Sequence, residues 1–197
     1  MAAGTRRYHH GDLRAALVAE AVRRLDATPE AELTLRGLAR ALGVSAMAPY
    51  AHFQDKDALM DAVAEAGFHA LGAALDAALA GMEAKAPEAR LAALARGYVG
   101  FGLARPGLYR LIFGHRAAPA SAATQAAGAA AFARLERAVA ALGPAGGDTR
   151  RVAETAWALV HGLTRLMQDG RLDPEADLAA RAADAARAVA GLARGGG

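Results

Sequence analysis

The sequence predicts an all-α protein, with a small N-terminal three-helix domain containing a helix-turn-helix and a larger helical body after it. Three observations carry this expectation. Apolar residues recur at intervals of three and four, and no segment alternates apolar and polar residues as a half-buried strand would. Alanine dominates the 197 residues while aromatics make up only 5%, which suits helices packed closely through small side chains. Glycines, prolines and capping residues punctuate the chain where individual helices should start and stop.

In chain order, residues 1–11 read as an arm carrying Arg6, Arg7, His9 and His10, either a phosphate-reaching arm or an ordinary solvated terminus. Asp12 can cap a first helix that runs to about Asp26, with Leu13, Leu17, Val18, Ala21, Val22 and Leu25 on its apolar face. Ala27-Thr28-Pro29-Glu30 breaks it. Thr34 can cap a second helix with Leu35, Leu38, Ala39 and Leu42 on one side, and Gly43 stops it because glycine accepts the left-handed conformation without steric cost. Val44 fits as an apolar plug in the turn. Ser45 then reads as the cap of a short third helix, Ala46 to His52, shortened or bent by Pro49, which removes an early hydrogen bond.

A longer helix should begin between Asp55 and Asp57 and continue through Leu59, Val63, Phe68 and Leu71 to about Ala80, before Gly81. Lys56 is an unfavourable cation at this helix start, a placement that a DNA phosphate in front of it would explain. Pro87 opens a helix with Leu91, Leu94, Tyr98, Phe101 and Gly102 on one face, and Arg105-Pro106-Gly107 ends it. Leu108 to Phe113 is a compact apolar turn or short helix ending at Gly114. Residues 117–131 are nearly all small and read as a loop leading into a helix whose clear section is Phe132 to Leu142. After the break at Gly143-Pro144-Ala145-Gly146-Gly147, Asp148 or Thr149 can cap a helix that is apolar around most of its circumference, as a helix shared between the core and a partner subunit would be. Pro174 should open the last helix, with Leu178, Ala182, Ala185, Val189 and Leu192 on one side. About nine helices result, and the chain divides at 1–57 and 58–197.

Composition excludes several classes. With 54% hydrophobic residues the chain can build a sizeable core, and with no cysteine it has neither disulfides nor thiolate metal sites. No apolar stretch reaches the roughly 20 residues of a membrane span, and the basic N-terminus lacks the apolar core of a secretion signal, so a cytoplasmic location without membrane contact is expected. The net charge of +3 is spread along the chain, and any nucleic-acid argument must rest on placement. No carboxylate pair, phosphate loop or nucleophile motif stands out, so neither catalysis nor a cofactor is expected. His69, His115 and His161 could in principle converge on a metal, but lone histidines in helical proteins are usually packing or hydrogen-bonded residues, so no metal is expected either.

The run Gly43, Val44, Ser45, Tyr50, His52, Phe53, Lys56 and Leu59 fits the pattern G-V-S-x-x-x-x-Y-x-H-F-x-x-K-x-x-L. It resembles the DNA-binding signature of TetR-family transcriptional regulators. The resemblance implies that Arg36 approaches the groove edge and Thr34 the DNA backbone. It also implies that Ser45, Ala46, Met47 and Ala48 face base edges, and that Tyr50, His52 and Lys56 sit at positions that usually bind phosphates, with Tyr50 sometimes reaching a base. Phe53 belongs to the core. Two features depart from the family pattern: Pro49 stands inside the short helix, and the base-facing Ala46, Met47 and Ala48 cannot make bidentate hydrogen bonds to bases. Discrimination then falls to thymine methyl contacts, Arg36, Tyr50 or DNA shape, and is modest for each half-site.

Further on, Trp157-x-x-x-His161-Gly162, with Tyr98-x-x-Phe101 and Pro106-x-Leu108-Tyr109-Arg110-Leu111-x-Phe113 upstream, resembles the WHG-type C-terminal domain of some TetR-like regulators. The resemblance places Trp157 and His161 near an effector pocket lined by Tyr98, Phe101, Tyr109, Phe113 and Met167. The other reading of the same residues, preferred for Trp157 and Gly162, is core packing, with Gly162 permitting close helix approach. The expectation is a repressor that binds a near-palindromic double-stranded DNA operator as a homodimer and is released by a small apolar or aromatic effector. The alternative is a helical DNA-binding or protein-interaction protein without an effector.

Overall fold

The helical spacing of the first segment becomes α1, Leu13–Arg24, in the computed structural model of the protein, which describes residues 13–27, 29–114, 119–143, 148–173 and 177–194. The expected N-terminal arm and the Asp12 cap lie outside the described residues. Leu17 and Ala21 are fully buried on the inner face of α1, while Glu20 on its outer side pairs with Arg23 and Arg24. In α2, Leu35–Ala41, the Thr34 hydroxyl caps the helix by accepting from the Gly37 N–H at 3.0 Å. Gly43 turns the chain with a φ of 69°, a left-handed value that side-chain-bearing residues rarely adopt.

The segment after this turn differs from expectation. It is not a helix from Ala46 to His52 capped by Ser45, but a turn at residues 46–47 leading into a 3₁₀ turn over Ala48–Ala51, with no side-chain cap. Ala48 donates to the Ser45 backbone carbonyl at 3.0 Å. Pro49 accounts for the difference: it contributes no N–H, and its own carbonyl accepts from His52 and Phe53, both at 3.0 Å, which closes the segment tightly. The Pro49 ring is fully buried, so this turn is anchored from beneath.

α3, Lys56–Leu79, is the axis of the molecule. Asp55 caps it, accepting from the Ala58 N–H at 2.8 Å. The division expected at residue 57 falls in its first turn, so the two parts of the chain share this helix. Its 18-residue apolar window reaches a mean hydropathy of 1.2, enough by length and composition for a membrane span, yet half of that window is buried inside the fold. Asp61, Glu65 and Asp76 interrupt the helix, so it is not an uninterrupted apolar stretch. What looks like a span is a core helix.

The remaining helices are α4 (Pro87–Ala104), α5 (Pro106–Phe113), α6 (Ala122–Ala140), α7 (Thr149–Gln168) and α8 (Leu178–Arg194), giving eight α-helices and no strand among the described residues. α6 begins ten residues before Phe132: Ser121 caps it, accepting from Thr124, and Ala127 and Ala131 bury its inner face. α8 begins at Leu178 with the Asp177 carboxylate accepting from the Ala180 N–H, while Pro174, the expected opener, lies outside the described residues. α1, α2 and the 3₁₀ turn gather at the N-terminal end of α3; α4, α5 and α6 pack along the rest of it. α7 and α8 lie side by side against α4. Arg134 on α6 grips Asp76 on α3 through two hydrogen bonds of 2.7 and 2.6 Å.

Candidate nucleic-acid interface and ligand cavity

At the first candidate site, burying Leu35, Leu38 and Ala39 turns Arg36 and Arg40 of α2 outward. Burying Pro49 and Phe53 does the same for the 3₁₀ segment. Ser45, Ala46, Met47, Tyr50 and His52 are exposed, Met47 by 66%, and Ala48 is half-buried. A methionine this open on a small domain presents an apolar tip to whatever meets that surface. Thr34 is exposed; its oxygen serves the helix cap, and its hydroxyl hydrogen remains a donor for an outside group. The Lys56 ammonium donates to the Glu30 carbonyl at 2.6 Å, which holds the loop before α2 against the start of α3. Arg14, not singled out in the sequence, lies over the Phe53 ring at 5.4 Å and adds a cation beside the turn.

The second site is a cavity of about 560 Å³ enclosed by α3, α4, α5, α6, α7 and α8. That is within the range of pockets that hold drug-sized molecules. Of the sequence-expected lining, Tyr98, Phe113 and Trp157 are in its wall, whereas Phe101, Tyr109, His161 and Met167 are not. Tyr109 is fully buried, wedged between Gly102 of α4 and the α7 face that carries Thr164. Phe101 and Met167 are buried in helix packing. Gly162 is not a point of close approach, since a Cβ there would meet nothing within 4 Å. The wall includes residues that were read only as apolar positions of their segments, among them Phe68 and Leu71 of α3, Ile112 of α5 and Phe132 of α6, and Leu75 of α3, which was not singled out. Five of the chain's ten aromatic residues line this one space. Its charged members are Glu136, Arg150 and Glu154.

Beside the cavity the aromatic rings form one cluster. Phe113 meets Phe68 edge-on with ring centroids 5.8 Å apart, Tyr109 stacks on His161 at 5.4 Å, and Trp157 meets Phe132 at 5.9 Å. Their polar atoms converge. The Trp157 indole N–H donates to the Tyr98 hydroxyl at 3.0 Å, and the Tyr98 and Tyr109 hydroxyls lie 3.2 Å apart. Both are within reach of His161 Nδ1, at 3.1 and 2.8 Å. Burial raises the pKa of both phenols and, with Arg165 nearby, lowers that of His161, so the cluster favours neutral groups. His69 lies 3.9 Å from Glu65, and His115 lies outside the described residues.

The two sites are joined by a clasp. Asp26, just past the end of α1, accepts from the Gly107 N–H at 2.9 Å and from Arg105 Nε at 2.7 Å, so the segment that follows α1 caps α5. Gly107 is required there: a Cβ would run into the Leu25 carbonyl.

Comparison with known proteins points the same way for both parts of the chain. Residues 17–63 match the family described as bacterial regulatory proteins, tetR family, and residues 91–189 match the family described as tetracyclin repressor-like, C-terminal domain. A protein of unknown function from Rhodococcus sp. RHA1 is 40% identical, with a TM-score of 0.82 over 96% of this chain and all of that one. BioQ of Mycobacterium smegmatis is 26% identical, with a TM-score of 0.60 over 95% of this chain and 100% of its own. A regulatory protein in the tetR family from Rhodococcus RHA1, at 20% identity, shares the fold with a TM-score of 0.64, covering 91% of this chain and 96% of that chain. No match is found among curated proteins.

Proposed function

Because the chain belongs to the TetR family of bacterial regulatory proteins, and is therefore a non-enzymatic transcription regulator, we propose that it is a repressor working in the cytoplasm as a homodimer on a near-palindromic operator and released by a small apolar molecule. The observation that carries the ligand response is the continuity of α3. One helix begins at Lys56 beside the reading turn and supplies Phe68, Leu71 and Leu75 to the cavity wall. At the usual helical rise, Lys56 and Phe68 are about 18 Å apart along a single rigid rod. A ligand that fits the cavity better in one tilt of α3 changes the placement of the reading turn, and only such differential affinity can do so.

DNA recognition falls to Arg36, Ser45, Ala46, Met47, Ala48 and Tyr50 at the groove, with Thr34, His52 and Lys56 on phosphates. Dimerisation is supported by the outer face of α7, where Leu159 and Leu166 are 44% and 46% exposed, and by Leu192 on α8 at 50%. Such apolar positions on two adjacent helices suit a four-helix bundle with a second copy, which sets two reading turns about 34–36 Å apart or a multiple of it.

The test is binding of the purified protein to DNA from beside its own gene, near physiological salt and with excess competitor DNA. A competitor-resistant complex with two protomers per site is expected, and each of Arg36→Ala and Lys56→Ala should weaken it. Losing the Lys56 phosphate contact should also lower the salt slope by about one. Weak, sequence-blind binding that neither substitution changes would sink the regulator reading.

A further inference from the structure

The cavity is apolar inside and charged at one edge, and the two parts impose different demands on an occupant. Inside, the aromatic cluster contributes two polar wall groups, and both are already partnered: the Trp157 indole N–H donates to the Tyr98 hydroxyl, which also lies within reach of Tyr109 and His161. The deep part of a ligand therefore gains from apolar or aromatic contact and finds its nearest polar group already partnered. At the edge, on the last part of α6 and the first turns of α7, Arg150 donates to Glu154 at 3.0 Å and to Glu136 at 3.4 Å. The same guanidinium lies over the Phe132 ring at 5.5 Å. Two carboxylates and one guanidinium leave this edge with a surplus negative charge, facing a wall of aromatic rings whose faces are also negative.

Arg150 thus shows what this edge holds: a cation seated on a phenyl ring between two carboxylates. Its side chain is 65% exposed, so it can swing into solvent at little cost to the core. An anion at the same point would have to share that one guanidinium with both glutamates. We propose that the effector is an amphipathic organic cation, with an apolar or aromatic body in the cavity and a positive end that takes the place of Arg150 between Glu136, Glu154 and the Phe132 ring. The proposal rests on the reading of this cavity as the effector site and adds the charge class that the site selects.

Three probes of equal length separate the possibilities: a phenylalkyl-trimethylammonium, the corresponding phenylalkanoate and the corresponding phenylalkanol. Binding to the full-length protein is followed by calorimetry and by the fluorescence of Trp157, the chain's one tryptophan, which stands in the cavity wall. The ammonium is expected to bind about tenfold or more tightly than the alkanoate, a factor that corresponds to one favourable cation–ring and carboxylate contact. Glu136→Gln with Glu154→Gln should remove most of that preference and leave the alkanol unchanged. Arg150→Ala deletes the competing cation, so it should tighten the ammonium severalfold. All three side chains are partly or largely exposed, so the variants are expected to fold, and unchanged alkanol binding verifies it. Preference for the alkanoate, lost in Arg150→Ala, overturns the proposal and leaves the cavity as the effector site. Equal binding of ammonium and alkanol in every variant does the same. If none of the three probes binds, the cavity reading falls and the proposal with it.

Discussion

Four polar atoms meet beside the cavity, and their hydrogens must be shared among them. One chain of donation satisfies all: Trp157 N–H to the Tyr98 oxygen, Tyr98 O–H to Tyr109, and Tyr109 O–H to His161 Nδ1, the shortest of these contacts at 2.8 Å. This requires a neutral imidazole with Nδ1 as acceptor. Protonating His161 would place a donor where Tyr109 already donates, inside a cluster whose burial resists charge. The folded-state pKa of His161 lies below its ordinary value of 6.5, so between the two values the unfolded chain binds the proton and the folded chain does not. His161 therefore contributes stability that is complete above that value and is lost as pH falls toward the folded one. In urea melts, the stability advantage of the wild type over His161→Gln should shrink as the pH is lowered through 6.5; a constant gap would contradict this. The W-x-x-x-H spacing made Trp157 and His161 visible in the sequence. Tyr98 and Tyr109 were legible as motif positions and expected pocket lining but not as hydrogen-bond partners of His161, because they lie 63 and 52 residues from it and no local pattern encodes such a pairing.

Between elements, the junction of α1 with α5 depends on one carboxylate and one missing side chain. Removing the carboxylate in Asp26→Ala strips α5 of its cap and Arg105 of its partner, which should cost about 1–3 kcal/mol in chemical denaturation. Gly107→Ala forces Cβ against the Leu25 backbone and should cost at least as much, about 1–3 kcal/mol or more, because backbone cannot move aside as a flexible side chain can. If either variant melts like the wild type, the clasp is not a structural joint. The elements differ in how well the sequence announced them, and the difference is physical. α2 and its turn were legible because their determinants, Thr34 and Gly43, act on their own backbone. The early turns of α6 were not: a run of alanine has high helix propensity but no contrast between faces, so periodicity is silent there. Pro49 was seen to shorten the third helix, but not to convert it to a 3₁₀ turn, since that depended on burying its ring.

On the scale of the whole molecule, the exposed leucines Leu159, Leu166 and Leu192 on α7 and α8 are an apolar feature without cover in one chain. Leu159→Glu with Leu166→Glu should leave the fold intact, since both are exposed, and shift the protein to monomer in light scattering. DNA binding should fall with it; a dimer that persists would place the interface elsewhere. The resemblance pointed to a pocket and to Tyr98, Phe113 and Trp157 in its wall, but most of that wall was not readable from sequence. Phe68, Leu71 and Phe132 look like ordinary core positions, and only the spacing of six helices leaves a space between them. The shared α3 has a consequence for anyone who would build a hybrid sensor from this protein. The reading turn and the cavity are not modules with a linker between them, so a splice at residue 57 cuts through the first turn of a helix. A graft must also reproduce a second seam, because the end of α1 fits onto Gly107 with no room for a side chain. Exchanging the reading head for that of a relative therefore transfers specificity only if the donor brings both surfaces, the start of the rod and the tail of α1, in matching shape.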